Sequence, residues 1–253
     1  MSVVSVDRSG AVMTITINHP PVNAISPDVL DALGAAVARA ADDPAIRAVV
    51  VAGSDAGFAA GADLPAFVAR GQTPVAAIHA GVALLDQLEA LPKPVIAAVE
   101  GLCLGGGMEL ALAADLRVAS ARARFGQPEV ALGIIPGWNG THRLPRLIGV
   151  GPALDLILTG ETIDGDRAFA LGLVQRLTPG GAALATAHNL ARQVSHNAPA
   201  ALAHAKQLVR AWHEAGAAER EAAASVQLLG TPDAAEGLQA FLEKRRPRFG
   251  SEA

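Results

Sequence analysis

Two glutamates stand beside loops of small residues in stretches that carry almost no other charge. Glu109 is the only charged residue within 102–114, and it comes just after a run of glycines. Glu129 follows a Gly-Gln-Pro segment, and Pro128 suits the first position of a helix. An acid in the first turn of a helix is stabilised by the helix dipole, so each glutamate alone is compatible with a purely structural role. Apolar surroundings would also raise the pKa of both carboxyl groups toward the range that proton transfer needs.

Two loops of small residues, 58–63 (Phe-Ala-Ala-Gly-Ala-Asp) and 104–107 (Leu-Gly-Gly-Gly), lie at predicted helix starts. Backbone N–H groups at a helix start have no partner within the helix, and small side chains leave them open to a ligand. Either loop alone is compatible with tight packing of a strand on a helix. Together they can form an oxyanion hole, which holds a carbonyl oxygen as it gains negative charge. With two carboxylates nearby, this predicts addition or elimination next to a thioester.

Several other chemistries lack the residues they need. The chain has no Tyr, which short-chain dehydrogenases use as a proton donor, and its single Cys103 cannot form a disulfide or a Cys-x-x-Cys pair within the chain. The glycine-rich segment 101–107 lacks the spacing of a dinucleotide loop, and Met108 and Glu109 stand where a phosphate-binding loop needs Lys and Ser or Thr. The histidines show no metal-binding spacing, so we expect no metal site.

The composition limits the kinds of binding partner and the cellular compartment that can be expected for this chain. The 253 residues are 51% hydrophobic and 17% charged, which predicts a folded protein of one large domain or two small ones. With a net charge of −4 and an aromatic content of 3%, the chain lacks the excess positive charge and the aromatic residues that binding to nucleic acid or to an anionic membrane surface would use. With one cysteine, no secretory signal and no long apolar stretch, the chain is expected to be cytoplasmic, with no nucleic-acid or membrane partner.

The elements that must position these residues alternate between strand and helix in the first two thirds of the chain. A hairpin is predicted around Ser9-Gly10, followed by helices and strands at 26–41, 47–52, 74–91, 95–99 and 106–114. This alternation is typical of a layered α/β fold. After about residue 180 the strand signal disappears, and helices are predicted at 181–196, 199–215, 218–229 and 232–246.

Taken together, several separated motifs resemble those of the crotonase superfamily, the enoyl-CoA hydratase/isomerase family. They occur in the family's order and spacing and cover nearly the whole chain. The matching segments are Pro21-Val22-Asn23-Ala24, FAAGADL at 58–64, KPVIAAVEGLCLGGGMELALAADLRVA at 93–119, FGQPEVALGIIPG at 125–137 and EGLQAFLEKRRPRF at 236–249.

The resemblance implies a crotonase-like α/β spiral of repeated ββα units with a C-terminal helical trimerisation region. Residues 1–195 would form the spiral core with the acyl-CoA site. Residues 196–253 would form the C-terminal helical region, which mediates oligomerisation and covers the coenzyme A (CoA) site. The expected assembly is a homotrimer or a dimer of trimers.

The resemblance also assigns the catalytic groups. The two amides of the oxyanion hole fall on Ala62 and Gly106. The residue matching Glu109 orients and deprotonates the water that attacks C3, and the residue matching Glu129 donates a proton to C2. The backbone N–H matching Gly137 helps to position that water.

The substrate implied by the family is an acyl-CoA thioester, with CoA as part of the substrate and no separate cofactor. Contacts with CoA would map to the loop residues Ala60, Asp63 and Leu64. From the C-terminal helix they would map to Phe241 and Lys244, and a basic residue there suits the phosphates of the nucleotide; an ordinary solvated helix end is the alternative for Lys244.

Two positions depart from the family pattern. Trp138 and Asn139 replace small residues between Gly137 and Gly140, so a large ring stands beside the second glutamate. The ring either shortens or reshapes the acyl pocket or packs outward. Pro65 also occupies a place often taken by a polar or basic residue, which bears on the CoA contacts there.

The leading hypothesis is an enoyl-CoA hydratase that adds water syn across a trans-2-enoyl-CoA to give a 3-hydroxyacyl-CoA, because both glutamates are present. One alternative is another crotonase-type reaction, such as double-bond isomerisation or a lyase reaction on a specialised acyl-CoA. A second alternative is a non-catalytic binding protein on the same fold, including one that binds RNA. The low charge and scarce aromatics weigh against RNA.

Overall fold

A computed structural model describes residues 2–250 of the chain. The strands are β1 Val4–Ser9, β2 Val12–Ile17, β3 Ala48–Gly53, β4 Val95–Val99, β5 Leu102–Leu104, β6 Leu116–Ser120, β7 Arg124–Gly126, β8 Thr162–Asp164 and β9 Arg176–Thr178. The helices are α1 Pro27–Asp42, α2 Leu64–Ala69, α3 Pro74–Ala90, α4 Gly106–Ala113, α5 Gly140–Ile148, α6 Val150–Thr159, α7 Gly165–Ala170, α8 Ala183–Ser195, α9 Pro199–Arg210, α10 Ala217–Leu229 and α11 Pro232–Leu242. A short 3-10 helix spans Pro128–Leu132.

The strands form two sheets. The larger has the order β1-β2-β3-β4-β6-β9, in which β1 and β2 form an antiparallel hairpin and the remaining neighbours are parallel. The smaller has the order β5-β7-β8. Because parallel strands are covered on both faces, β3 and β4 are continuous apolar runs with nearly every residue buried.

Successive residues of the large sheet point to opposite faces, and each face has its own cover. Val49 and Val51 belong to the main core, which they share with α1, α3 and α4. Val50 belongs to a second cluster on the other face, where the alanines of α8 pack. Small side chains on α8 allow it to lie close to the sheet.

Most predicted elements are present, and their boundaries differ by a few residues. Strand 95–99 is as predicted, and α1 and α3 lie within one residue of their predicted limits. Within the glycine-rich segment the structure adds β5, which the residue pattern did not predict. The predicted helix 199–215 ends at Arg210.

The last predicted helix, 232–246, is too long because the chain turns back on itself. The helix α11 ends at Leu242, and Lys244 has a φ of +54°, in the left-handed region. Arg245 returns to form an ion pair with Glu236 at 2.6 Å and another with Glu243 at 2.6 Å. These contacts and the following Pro247 favour a turn over another helical turn.

The strands end at β9, and α8 still packs on the large sheet, against β3, β4 and β6. The helices α9 to α11 follow, with α10 packed against both α9 and α11. The proposed division at residue 195 therefore coincides with the end of α8, although the independence of the two parts stays a prediction. Within residues 2–250, no helix is long and apolar enough to cross a membrane, and no group of three or more metal-binding side chains occurs.

Candidate active site

Loop 58–63 and the start of α4 are held side by side by backbone hydrogen bonds. The Ala59 amide donates to the Leu102 carbonyl at 2.9 Å, and the Leu104 amide donates to the Ala59 carbonyl at 3.0 Å. Among residues 2–250, neither the Ala62 amide nor the Gly106 amide donates a hydrogen bond. Gly106 is the first residue of α4, where the helix supplies no partner for its N–H. The structure thus brings the two predicted oxyanion donors into neighbouring loops, both with free N–H groups.

Glycines in these loops are needed where chain segments approach closely. Gly105 has a φ of +50°, and a Cβ there would fall 2.8 Å from Oε1 of Glu129. A Cβ on Gly61, which has a φ of +117°, would lie 3.8 Å from the Gly106 nitrogen. A Cβ on Gly107 would fall 2.2 Å from the Ala59 carbonyl oxygen. The run of glycines therefore allows both the close approach of the loops and the placement of the second glutamate.

Glu109 lies one turn into α4 and is held by two amides from a distant segment. Its Oε1 accepts hydrogen bonds from the Trp138 N–H and the Gly140 N–H, each at 2.7 Å. Gly140 makes room for this contact because it has no side chain. A Cβ there would fall 2.9 Å from Oε1. Both amide bonds fall on one oxygen of the carboxylate, so the orientation of the carboxylate is fixed while Oε2 accepts no bond from the described residues.

The pKa of the Glu109 carboxyl group is raised from its usual 4.5 to about 7. Burial and the nearby charge of Glu129 both contribute to this rise. The two amide hydrogen bonds and the positive charge of Arg143 oppose the rise, because they stabilise the ionised form. Burial is the largest of these effects. A carboxyl group with a pKa near neutrality is suited to take up a proton from water.

Glu129 lies in the 3-10 helix rather than in an α-helix, and it is only partly buried. Burial raises the pKa of its carboxyl group above the usual range. The buried side-chain amide of Gln127 faces Glu129, and with its nitrogen assigned to that side Nε2 donates to both carboxylate oxygens of Glu129, at 3.2 and 3.1 Å. Sequence reasoning gave no role to Gln127, because nothing in its local pattern shows which way an amide will point.

The Trp138 side chain packs inward, which answers the question that the residue pattern left open. It is 4% exposed. A Cβ on Gly81 of α3 would fall 2.1 Å from its ring atoms Cε2 and Nε1, and a Cβ on Gly106 of α4 would fall 2.5 Å from Cζ3. The indole therefore fills the space between these two helices, directly against one of the two predicted oxyanion donors.

Asn139 and Gly137 complete the segment that faces Glu109. Asn139 has a φ of +70°, a conformation that glycine adopts freely and that asparagine tolerates better than most residues. The Gly137 amide donates no hydrogen bond within residues 2–250, so it is available to a ligand or a water. The Asn139 departure from the family pattern thus preserves the backbone shape.

Arg143 was missed by the sequence analysis, although the structure ties it to the site. Its side chain is 5% exposed and donates from Nη1 to the Trp138 carbonyl at 2.8 Å. It also pairs with Asp86 at 2.7 Å and with Glu89 at 2.6 Å, both on α3. Arg143 thereby anchors the segment whose amides bind Glu109. The only sign of Arg143 in the sequence is a basic residue shortly after that segment. The sequence does not show that its side chain is buried.

The residues expected to contact CoA fall into two separate groups. Ala60, Asp63 and Leu64 lie at the site, where Leu64 is 45% exposed and the Asp63 carboxylate caps α2 by accepting from the Ala66 N–H at 3.0 Å. Pro65 occupies one of the first positions of α2, a place that proline suits. Phe241 and Lys244 are exposed at the end of α11, and no hydrogen bond or ion pair among residues 2–250 joins α11 to the 60–64 loop.

The arrangement can stabilise a developing oxyanion and move two protons. Two amides that donate no hydrogen bond among residues 2–250 lie in adjoining loops at the start of α4, and two carboxyl groups with raised pKa values lie close to this helix start. A thioester oxygen bound to the amides would gain negative charge at low cost, because the donors are already oriented. The carboxyl groups can then exchange protons with the adjacent carbons through a bound water.

Comparisons with known proteins agree with this chemistry. The family model described as enoyl-CoA hydratase/isomerase matches residues 7–252. The short-chain-enoyl-CoA hydratase of Clostridium acetobutylicum is 37% identical over 251 residues, which cover 96% of this chain and 95% of that protein. The crotonyl-CoA hydratase of Syntrophomonas wolfei is 38% identical over 254 residues, which cover 96% of each chain. A crystal structure of an enoyl-CoA hydratase from Bacillus anthracis has a TM-score of 0.92 at 36% identity, covering 99% of this chain and 100% of that one.

Proposed function

The chain belongs to the enoyl-CoA hydratase/isomerase family, and from this premise we propose that it is an enoyl-CoA hydratase that adds water syn across a trans-2-enoyl-CoA. The family resemblance of its motifs and the crotonase-type α/β fold with C-terminal helices are both confirmed. The observation that carries the proposal is the pairing of Glu109 and Glu129, both with raised pKa values, beside two free amides.

In the proposed reaction, the thioester oxygen accepts hydrogen bonds from the Ala62 and Gly106 amides. The Glu109 carboxylate removes a proton from water as the water oxygen bonds to C3, and the Gly137 N–H holds that water in place. The electrons of the double bond move onto the thioester as an enolate, which the two amides stabilise. Glu129 then donates a proton to C2, so that one water molecule has been added and the C1 carbonyl is restored.

CoA enters this proposal as part of the substrate, with no separate cofactor. We infer that Ala60, Asp63 and Leu64 contact it at the mouth of the site. No hydrogen bond or ion pair among residues 2–250 joins the exposed Phe241 and Lys244 to that loop. They are best placed to reach CoA bound to a neighbouring copy, in a homotrimer or a dimer of trimers in the cytoplasm.

The purified protein is expected to remove the conjugated-enone absorbance of crotonyl-CoA. The Glu109→Gln and Glu129→Gln variants should each lower kcat by about 100-fold to 10,000-fold, because each removes one proton-transfer group. Glu219→Gln, at an exposed position on α10, is the matched control and should keep the wild-type rate. Full activity in Glu129→Gln would contradict its role as the acid.

Reaction in heavy-oxygen water separates hydration from the other reactions of the family. Hydration incorporates the label into a 3-hydroxyacyl-CoA, whereas double-bond isomerisation leaves the product unlabelled. Turnover of enoyl-CoA substrates without incorporation of the label would overturn the hydratase proposal. Tight binding of acyl-CoA with no turnover of any enoyl-CoA would instead favour a non-catalytic protein.

A further inference from the structure

The side chain of Trp138 belongs to the buried core and fills the space that two glycines leave beside the site. Its backbone N–H already serves Glu109 at 2.7 Å, and that bond requires no particular side chain. The indole extends from this backbone into the space between α3 and α4. Gly81 and Gly106 border the ring on either side, and a Cβ at either residue would overlap it.

The reacting atoms of an enoyl-CoA fix the direction of its acyl chain in this site. In the proposed reaction, C1 lies at the Gly106 amide and C3 lies near Glu109, one helical turn further along the same face of α4. Acyl carbons beyond C3 extend from the side of C3 opposite the thioester, which is the Glu109 end of this face. The indole lies against Gly106, and the backbone N–H of the same tryptophan binds Glu109. The ring therefore lies next to these acyl carbons.

We propose that the Trp138 indole closes the inner end of the acyl pocket and restricts this enzyme to short-chain enoyl-CoA substrates, an inference that rests on the proposed function. A rigid ring, 4% exposed and bordered by α3 and α4, has no free space to move into when a longer chain arrives. A longer acyl group could be accommodated only by displacing the ring.

The test measures kcat/KM for a series of trans-2-enoyl-CoA substrates that runs from crotonyl-CoA through hexenoyl- and octenoyl- to decenoyl-CoA. In the wild-type protein, kcat/KM should fall steeply with each extension. In Trp138→Ala, the ratio of kcat/KM for decenoyl-CoA to that for crotonyl-CoA should rise by about tenfold or more, whatever the absolute rates, while Trp138→Phe should give an intermediate ratio. Phe169→Ala removes a different exposed aromatic ring, on α7 and outside the C-terminal helices, and should leave the ratio unchanged.

A wild-type protein that hydrates decenoyl-CoA as efficiently as crotonyl-CoA would overturn the inference, even if Trp138→Ala did not fold. An unchanged ratio in a folded Trp138→Ala protein would also overturn it. In either case the hydratase proposal would stand, since crotonyl-CoA would still be hydrated. The failure of one proposal is thus distinguishable from the failure of the other.

A binding measurement places the ring without relying on turnover. The chain has two tryptophans, so Trp212→Phe leaves Trp138 as its single indole fluorophore. Titration with butyryl-CoA should change the emission of this variant, and CoA without an acyl group should change it much less. An emission that responds equally to butyryl-CoA and to CoA would overturn the placement of Trp138 at the acyl pocket, whether or not the protein hydrates any enoyl-CoA.

Discussion

At the scale of single residues, the two glutamates have different surroundings that suit different tasks. Glu109 is almost fully buried and is held by two backbone amides, and burial is the largest cause of its raised pKa. Glu129 is partly exposed and meets the buried amide of Gln127. A base must be ionised and an acid must be protonated, so the pair performs both tasks only where the two protonation states coexist.

This requirement predicts the pH dependence of the reaction. With the Glu109 pKa raised to about 7, kcat/KM should fall as the pH drops below that value, because the base becomes protonated. It should also fall at high pH as Glu129 loses its proton, although its raised pKa delays that loss. The measurement is kcat/KM for crotonyl-CoA between about pH 5 and 9, with Glu219→Gln as the control that keeps the profile. A flat profile over this range would contradict the assigned roles.

At the scale of elements, α4 carries the site because all of its residues are buried and its first turn approaches other backbone closely. Its two glycines are places where a side chain would collide with a neighbour, which is the Trp138 ring at Gly106 and the Ala59 backbone at Gly107. The clearest case is Gly107, at the Ala59 carbonyl, which belongs to the loop that pairs with β5. The packing of this helix and the geometry of the proposed oxyanion hole therefore depend on the same contacts.

Gly107→Ala is expected to lower the free energy of unfolding by about 2–3 kcal/mol, because its Cβ would fall 2.2 Å from a backbone oxygen. The matched control is Gly34→Ala in the middle of α1, where a Cβ would meet nothing within 4 Å. That control should raise stability by about 0.5–1 kcal/mol, since alanine has the higher helix propensity. Urea unfolding of both variants gives the comparison, and a stabilised Gly107→Ala protein would show that the loops are not in close contact.

At the scale of the whole molecule, the C-terminal helices leave large apolar side chains uncovered. On and just after α9, and on α10 and α11, these residues are at least 60% exposed, and the set comprises Val209, Trp212, Val226, Leu229, Leu238, Phe241 and Leu242. A single chain rarely exposes so much apolar surface in one region, whereas an interface between copies would bury it. This surface supports the proposed trimer.

The mass in solution, measured by light scattering after size exclusion, is expected to be a multiple of three times the 25.6 kDa chain. Leu229→Glu places a charge on the uncovered face of α10 and should shift the protein toward the monomer, because a buried unpaired charge is costly. Gln227→Glu adds the same charge at an exposed polar position of the same helix and should shift the mass less. A wild-type monomer would contradict the trimer.

Local features of this protein follow from its sequence alone. Alternating apolar patterns and capping residues predict α1, β3, α3 and β4 within a residue or so, because these signals act over a few neighbouring positions. Motifs with characteristic spacing also identify the family, and the resemblance predicts roles for Glu109 and Glu129. The turn that ends α11 at Leu242 escaped prediction, since it depends on Arg245 reaching back nine residues to Glu236.

The way in which distant segments meet at the site depends on tertiary packing. The amides of Trp138 and Gly140 reach Glu109 across about thirty residues of chain, and Arg143 secures them through ion pairs with α3. The inward direction of the Trp138 ring depends on the absence of side chains at Gly81, far away in sequence. Such contacts follow from the packing of whole elements in three dimensions, and no short stretch of sequence contains that information.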